Sequence, residues 1–325
     1  MKISPFDPKS IFQGAVSVGT RESRLGFHAQ AARLEDLRSS EHGIVIFGIA
    51  DDTGIRNVGG RIGAKDGPRE ARQRLYKFTT GVPRVPVYDL GDLYPASSIE
   101  STHEQATDIV RLLLDSGHFP LVIGGGHDLG FPHALGALEH SRKKTRFLNI
   151  DAHLDVRPTT NGITSGSPWY LLSEHPLFAK TKSRIEEFGI QPHCNAHSLV
   201  DYAAKHKFGL HWLADIRKKK GSADSQFAKL MGGKGGKDRL LVSLDIDSVR
   251  FSEAPGCSAP QILGFTAAEA IRMSFLSGAH PRVDSFGIFE LSPPLDPDGR
   301  TCLLVAHCIN ACLEGFATRL KVKKK

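Results

Sequence analysis

The sequence predicts an α/β fold built on a mainly parallel sheet with helices on both faces, and three observations carry that expectation. Apolar or β-branched runs of strand length alternate along the chain with stretches of helical periodicity. No internal repeat is visible, and no linker is long or biased enough to split the 325 residues. Hydrophobic residues make up 40% and charged residues 24%, the balance of a globular chain long enough to bury a sizeable core. One domain over 1–325 is therefore expected, with an N-terminal extension over 1–40 and a basic tail over 319–325.

The elements follow in order. Strands are expected at 44–49, 85–90, 120–123, 146–150, 185–190, 208–213, 240–244 and 283–289. Between them, Ser101-Thr102-His103-Glu104 reads as a capping box before a helix over 106–114, and Thr266-Ala267-Ala268-Glu269 as another opening 270–276. The segment 57–72, NVGGRIGAKDGPREAR, reads as a glycine-rich loop feeding a helix, with Pro68 in its first turn. Cys308 and Cys312 lie four apart in the last helix and read as small buried hydrophobes on one face. No CxxC pair among the five cysteines suggests zinc or a redox site. The segment 231–238, MGGKGGKD, lacks the Ser or Thr after Lys and does not follow a strand, so it reads as a flexible surface loop, not a phosphate loop.

Charge and hydropathy exclude other classes. The net charge of +7 is matched by Lys218, Lys219, Lys220, Lys321, Lys323, Lys324 and Lys325 alone, two clusters without interleaved aromatics, which argues against nucleic acid. The longest apolar run, 43–50, is too short to cross a bilayer, so no membrane role is expected. The N-terminus MKISPFDPKS has no apolar signal core and KVKKK is no retention or peroxisomal signal, which favours the cytoplasm.

Chemistry concentrates where expected strands end, the edge at which open parallel sheets bind ligands. Leu121-Val122-Ile123 runs into Gly124-Gly125-Gly126-His127-Asp128, where glycines allow a tight turn that brings His127 near neighbouring strand ends. Asp151-Ala152-His153-Leu154-Asp155 follows an apolar run, and alternation puts both carboxylates and the imidazole on one side. Ser243-Leu244-Asp245-Ile246-Asp247 repeats the pattern. Taken singly, such acids also cap helices and such histidines fill cores. Together, two imidazoles and four carboxylates suit Mn²⁺ better than a thiolate set would, and they are too many for one open site. They suit two ions about 3.5 to 4 Å apart.

These three blocks, GGGHD, DAHLD and SLDID, resemble in order the metal-binding blocks of the ureohydrolases, the family of arginase, agmatinase and formimidoylglutamase, and the similarity runs from about residue 44 to beyond Glu290. The resemblance implies a three-layer αβα arginase-like fold with a mainly parallel eight-stranded sheet. It also implies two Mn²⁺ ions, one held by His127, Asp151, Asp155 and Asp245, the other by Asp151, His153, Asp245 and Asp247. A homo-oligomer, trimer or larger, is implied as well.

Within the family the chain looks most like formimidoylglutamase. The block 57–72, the DxR formed by Asp155 and Arg157, Thr164-Ser165-Gly166-Ser167-Pro168-Trp169 and the stretch 189–199 all resemble that subfamily. Asp128, Ser167 and Trp169 depart from its commonest pattern. No histidine stands between Asp155 and His175, where arginases carry one after Ser-Gly, so arginase is disfavoured. The resemblance implies a small amidine or guanidine substrate, with hydrolysis of N-formimino-L-glutamate to glutamate and formamide expected. Asp155 and Glu290 are the catalytic candidates, and Arg157, Ser165 and Glu290 the substrate contacts. The competing reading makes Arg157 half of a structural salt bridge and Glu290 a carboxylate capping a turn. Another ureohydrolase activity, a catalytically silent homologue with a binding role, and a nucleic-acid role for the lysine clusters stand as alternatives.

Overall fold

The computed structural model describes residues 3–12, 23–79, 85–233 and 235–322. Residues 13–22 of the expected extension, 323–325 of the basic tail and Lys234 of the glycine-rich segment lie outside the described residues. The strands are β1 (Ile3–Ser4), β2 (Gln30–Ala31), β3 (Ile44–Ile49), β4 (Val87–Leu93), β5 (Phe119–Ile123), β6 (Thr145–Ile150), β7 (Arg184–Ile190), β8 (Gly209–Trp212), β9 (Arg239–Asp245) and β10 (Val283–Phe289). They form one ten-stranded sheet in the order β1-β4-β3-β5-β10-β9-β6-β7-β8, with β2 also paired to β4. The pairings that join β3 to β10 are all parallel, whereas β1 runs antiparallel to β4.

The eight longer strands are those the hydrophobic pattern anticipates, and β3 and β10 begin and end at the expected residues. Four differences stand out. The two-residue strands β1 and β2 escape notice because period-2 alternation needs a longer run to show. Strand β4 spans Val87–Leu93, not 85–90: it runs on past Leu90 through Gly91 and the buried Asp92, residues that look like loop in the sequence. Arg72 pairs with Asp89 and Asp92, at 2.8 and 2.6 Å, and so makes their burial possible. Strand β8 is shortened at both ends, to Gly209–Trp212.

The fourth correction concerns the capping box expected at Ser101–Glu104. The helix begins three residues earlier, spanning Ile99–Asp115, and its N-cap is Ser98, whose extended backbone lets Oγ accept from the Ser101 N–H at 3.2 Å. Thr102 lies inside the first turn, its hydroxyl donating back to the Ser98 carbonyl at 3.1 Å. The second box is present. Thr266 Oγ1 accepts from the Glu269 N–H at 3.2 Å while the Glu269 carboxylate accepts from the Thr266 N–H at 2.8 Å, opening the helix Ala267–Ala279. Pro68 falls in the first turn of Gly67–Leu75 as anticipated, its missing N–H costing nothing there.

Side-chain alternation divides the sheet into two buried faces. Ile44 and Ile46 of β3 join Leu121, Val242 and Phe286 against the helices Gly67–Leu75, Ala267–Ala279 and Arg300–Val322. Val45, Phe47 and Ile49 join Val122, Phe147 and Leu241 against Ile99–Asp115, Gly130–Ser141 and Pro168–Glu174. The result is three layers, α, β, α, as expected. The segment Arg300–Arg319 is long and apolar enough to cross a membrane by composition, yet 61% of it is buried, with Cys308 and Cys312 fully enclosed among core residues. All five cysteines are free thiols.

Strand order decides where chemistry can gather. β5, β10, β9 and β6 are consecutive neighbours in the middle of the sheet. Within four residues of their carboxyl ends stand His127, Glu290, Asp247 and Asp151, residues up to 163 positions apart in sequence.

Candidate metal centre

The turn after β5 brings the first imidazole into place. A side chain at Gly125 would put its Cβ 1.8 Å from the Asp51 carbonyl oxygen, and one at Gly124 would meet the Phe289 ring at 2.1 Å, so only bare backbone passes here. The Gly126 N–H donates to Asp51 O at 3.0 Å, and His127 follows as the first residue of a short 3-10 turn. The ring lies against Phe289 and, edge-on, against buried Trp169, with centroids 5.1 and 6.0 Å away. Its Nε2 pairs with Ser243 Oγ at 2.9 Å, which aims Nδ1 at the acids.

Three carboxylate oxygens surround that Nδ1: Asp155 Oδ2 at 2.8 Å, Asp151 Oδ2 at 3.1 Å and Asp245 Oδ2 at 3.2 Å. His153 Nδ1 faces Asp247 Oδ2 at 3.1 Å and Asp151 Oδ1 at 3.5 Å. Two cups of donor atoms result, each within 4.8 Å: His127, Asp151, Asp155 and Asp245 in one, and Asp151, His153 and Asp247 in the other. Asp151 turns one oxygen to each cup and so joins them. Asp245, expected to join both, belongs to the first group alone; its Oδ1 accepts from the Asp247 N–H at 2.8 Å.

This donor set fits divalent cations. Although three oxygens crowd His127 Nδ1, none lies in line for a hydrogen bond, and Asp247 Oδ1 is likewise buried without a partner. Nature rarely leaves such atoms orphaned unless something else satisfies them. Electrostatics says the same. Burial, then repulsion from Asp247 and Asp151, pushes Asp245 well above the usual carboxylate range, and burial with Asp151 raises Asp155. Glu290 is pushed well up by burial and then Asp245. Burial alone would depress His127, but the surrounding Asp151, Asp155 and Asp245 raise it well above its ordinary value. Each shift has the same cause, an excess of buried negative charge that divalent cations would balance.

Two backbones are strained to hold these groups. Asp155 and Glu290 both have positive φ, 46° and 67°, a region that L-residues avoid. The strain is contained by hydrogen bonds: the Trp169 N–H donates to Asp155 O at 3.1 Å, and the Glu290 N–H to Gly125 O at 2.8 Å. Glu290 Oε1 accepts from the His127 N–H at 2.9 Å, tying the ends of β10 and β5 together. Among the six donors only Asp155 and His153 reach the open side, with side chains 11% and 19% exposed; the other four are at most 4% exposed.

The remaining expected contacts lie on the rim. The Arg157 N–H donates to Gly166 O at 2.7 Å, and its exposed side chain passes over Gly166 and forms no ion pair among the described residues. The alternative reading of Arg157 as half of a salt bridge therefore finds no acid in place. Ser165 is half-buried, its N–H bonded to Gly54 O at 3.0 Å.

Several supporting residues had no assigned role in the sequence. The sheet register places Ser243, Asn149 and Glu187 side by side across β9, β6 and β7, one row below the acids. Asn149 Nδ2 donates to Glu187 Oε2 at 2.8 Å and to Asp151 Oδ2 at 3.2 Å. Asn195 laces the loop carrying His153: Oδ1 accepts from the Leu154 N–H at 2.8 Å, and Nδ2 donates to Ala152 O at 3.0 Å and Gln191 O at 2.8 Å. Asp128 pairs with buried His103 at 2.9 Å. A polar residue inside an apolar strand, as at Asn149 and Glu187, was the one available signal.

Comparison with known proteins agrees with this geometry. The chain is 28% identical over 314 residues to the formimidoylglutamase of Geobacillus thermodenitrificans, covering 94% of this chain and 95% of that one. The crystal structure of Trypanosoma cruzi formiminoglutamase with Mn²⁺ superposes with a TM-score of 0.77 at 33% identity, covering 88% of this chain and 99% of the other. The formimidoylglutamase of Bacillus subtilis shares the fold, with a TM-score of 0.82 at 23% identity over 94% and 96% of the two chains. The arginase family model matches residues 42–314, which span all six donors, Arg157 and Glu290, and the chain belongs to that family.

Proposed function

We propose that this protein hydrolyses N-formimino-L-glutamate to glutamate and formamide at a centre of two Mn²⁺ ions. The observation that carries the reading is the pair of donor cups joined by Asp151, in a chain one third identical to a formiminoglutamase crystallised with Mn²⁺. His127, Asp151, Asp155 and Asp245 would hold one ion. Asp151, His153 and Asp247 would hold the other, with Asp245 as their expected shared neighbour. When bound, the ions would supply a lowered pKa for water and a Lewis acid for developing negative charge.

The chain's own groups do the rest. Glu290, fixed through Oε1 by the His127 N–H, keeps Oε2 for the cationic amidinium and orients its carbon toward the acids. Water attacks that carbon, and Asp155, on the open side of the cluster, takes a proton from it. Asp155 then delivers the proton to the glutamate nitrogen as the C–N bond breaks, and the hydroxyl proton of the departing carbon fragment passes to the released amine, so neutral formamide and glutamate with an ammonium group leave. Arg157 holds a substrate carboxylate, with Ser165 beside it. Burial of Trp169 and Phe289 behind His127 keeps bulk water from the far side.

The test is a manganese-dependent assay of formamide and glutamate release from N-formimino-L-glutamate, run beside urea release from arginine and agmatine. Formamide without urea is expected. Urea release from either guanidine, with no formamide from the formimino substrate, overturns the reading.

A further inference from the structure

One segment of the rim reaches both flanks of the candidate metal centre. Helix Thr53–Asn57 meets the loop that carries Ser165: Gly54 O accepts from the Ser165 N–H at 3.0 Å, and Asn57 Nδ2 donates to Ile163 O at 2.8 Å. That loop is the one over which Arg157 lies. A few residues later the same segment crosses to the loops after β9 and β10. Gly63 stands so near Ser292 that an added Cβ would be 2.6 Å from its Oγ. Arg61 meets Ser258 and Cys257. The loop that Arg61 grips is tied in turn to the end of β10, since the Ser292 N–H, two residues after Glu290, donates to Gly256 O at 2.8 Å.

Arg61 is pre-organised in a way that Arg157 is not. Its N–H donates to Ser258 Oγ at 2.9 Å, Nε to Ser258 O at 3.0 Å and Nη2 to Cys257 O at 2.8 Å. Two carbonyls occupy one edge of the guanidinium and leave the Nη1/Nη2 edge as an open fork of three N–H groups. No acid pairs with Arg61 among the described residues, and its side chain faces solvent. An unpaired, oriented guanidinium is the usual receptor for a carboxylate.

Resting on the function proposed above, we infer that Arg61 is a specificity-determining residue that binds a second substrate carboxylate across the site from Arg157, so that the site selects dicarboxylates. Glutamate carries two carboxylates, and two guanidiniums without an ion pair among the described residues, Arg157 on the loop of Gly166 and Arg61 against Ser258 and Cys257, match them in number. Arg61, already held by the carbonyls, loses little freedom on binding.

Calorimetric titration of the Mn²⁺-loaded protein with glutarate and with butyrate tests this without requiring turnover. The wild type is expected to bind glutarate at least about tenfold more tightly than butyrate, as a charge-assisted hydrogen-bonded pair implies. In Arg61→Met that preference disappears, while Mn²⁺ affinity stays within about twofold, since Arg61 touches no donor to the ions. Arg61→Lys keeps a cation but no fork and is expected to retain an intermediate preference, which also serves if the methionine variant fails to fold. With N-formimino-L-glutamate, both variants should raise KM and leave kcat nearly unchanged. An undiminished glutarate preference in Arg61→Met, or in Arg61→Lys if only that variant folds, overturns the role of Arg61. So does equal weakening of glutarate and butyrate. Absence of formamide release by the wild type overturns the proposed function instead, and the glutarate titration still decides the role of Arg61.

Discussion

At β4, and again at the carboxyl ends of β5, β6 and β9, the sheet buries carboxylates, but it neutralises them by different means. At β4 the cation is part of the chain: Arg72, fully buried, donates to Asp89, Asp92 and the Gly91 carbonyl, and Tyr76 adds a hydroxyl to Asp89. Every strong donor there has a partner. At the other cluster four aspartates and Glu290 converge with only two imidazoles, and no lysine or arginine pairs with any of the four aspartates of the cups among the described residues. The first arrangement is closed and structural. The second leaves donors aimed at one another's charge, and that open balance is what makes it a receptor for cations.

The difference can be broken most severely at Asp151, whose oxygens face both cups. Asp151→Asn should lower formamide release by at least about a thousandfold through lost ion binding. Asp245→Asn should instead leave metal-free thermal stability equal or higher, because burial and the neighbouring Asp247 and Asp151 hold that carboxyl well above its usual range, whereas His127 and His153 stabilise the Asp151 charge. A large loss of metal-free stability would show that the acids are a structural network like that of Arg72.

Arg72→Met should do the reverse. It strands Asp89 and Asp92 without their cation and should cost about 3 to 5 kcal/mol in urea unfolding, whether or not Mn²⁺ is present. Equal stability of variant and wild type would refute the closed-cluster account.

The third and smallest effect concerns pH. Asp247 is raised from 3.8 to about 7, chiefly by burial, with His153 opposing and Asp151 adding to the rise. A carboxylate raised on folding contributes stability that is full below its unfolded pKa and lost as pH climbs through the folded one. The metal-free protein should therefore lose stability relative to Asp247→Asn between pH 3.8 and about 7. Mn²⁺ at a hundredfold excess over its Kd should add about 2.7 kcal/mol at neutral pH or above, and progressively less in acid as protons compete. A metal-free difference that grows in the opposite direction would remove the repulsion argument.

Legibility differed with the kind of signal. His127, Asp151, His153, Asp155, Asp245 and Asp247 could be picked out because each follows an apolar run, and alternation gives a side chain's face without any tertiary knowledge. Glu290, at the end of the run 283–289, was picked out through the family resemblance. The supporting residues did not stand out. Ser243, Asn149 and Glu187 meet only because β9, β6 and β7 are adjacent in that register, and Asn195 matters only because its loop folds back on His153. The capping box at Ser101 failed for a local reason, since Ser98 offers the same hydroxyl one turn earlier. Strand β4 was ended too early because Gly91 and the buried Asp92 imitate a loop until Arg72 is seen beside them.

From its sequence alone this protein's layer architecture and donor set were determined, since periodicity and residue type are local properties that the chain carries wherever it folds. Strand order was a matter for the tertiary structure. It brought β5, β10, β9 and β6 together, split the donors into two cups sharing Asp151, and held Arg61 against Ser258 and Cys257. Distances between residues far apart in sequence follow from how the elements pack, and no local pattern records them.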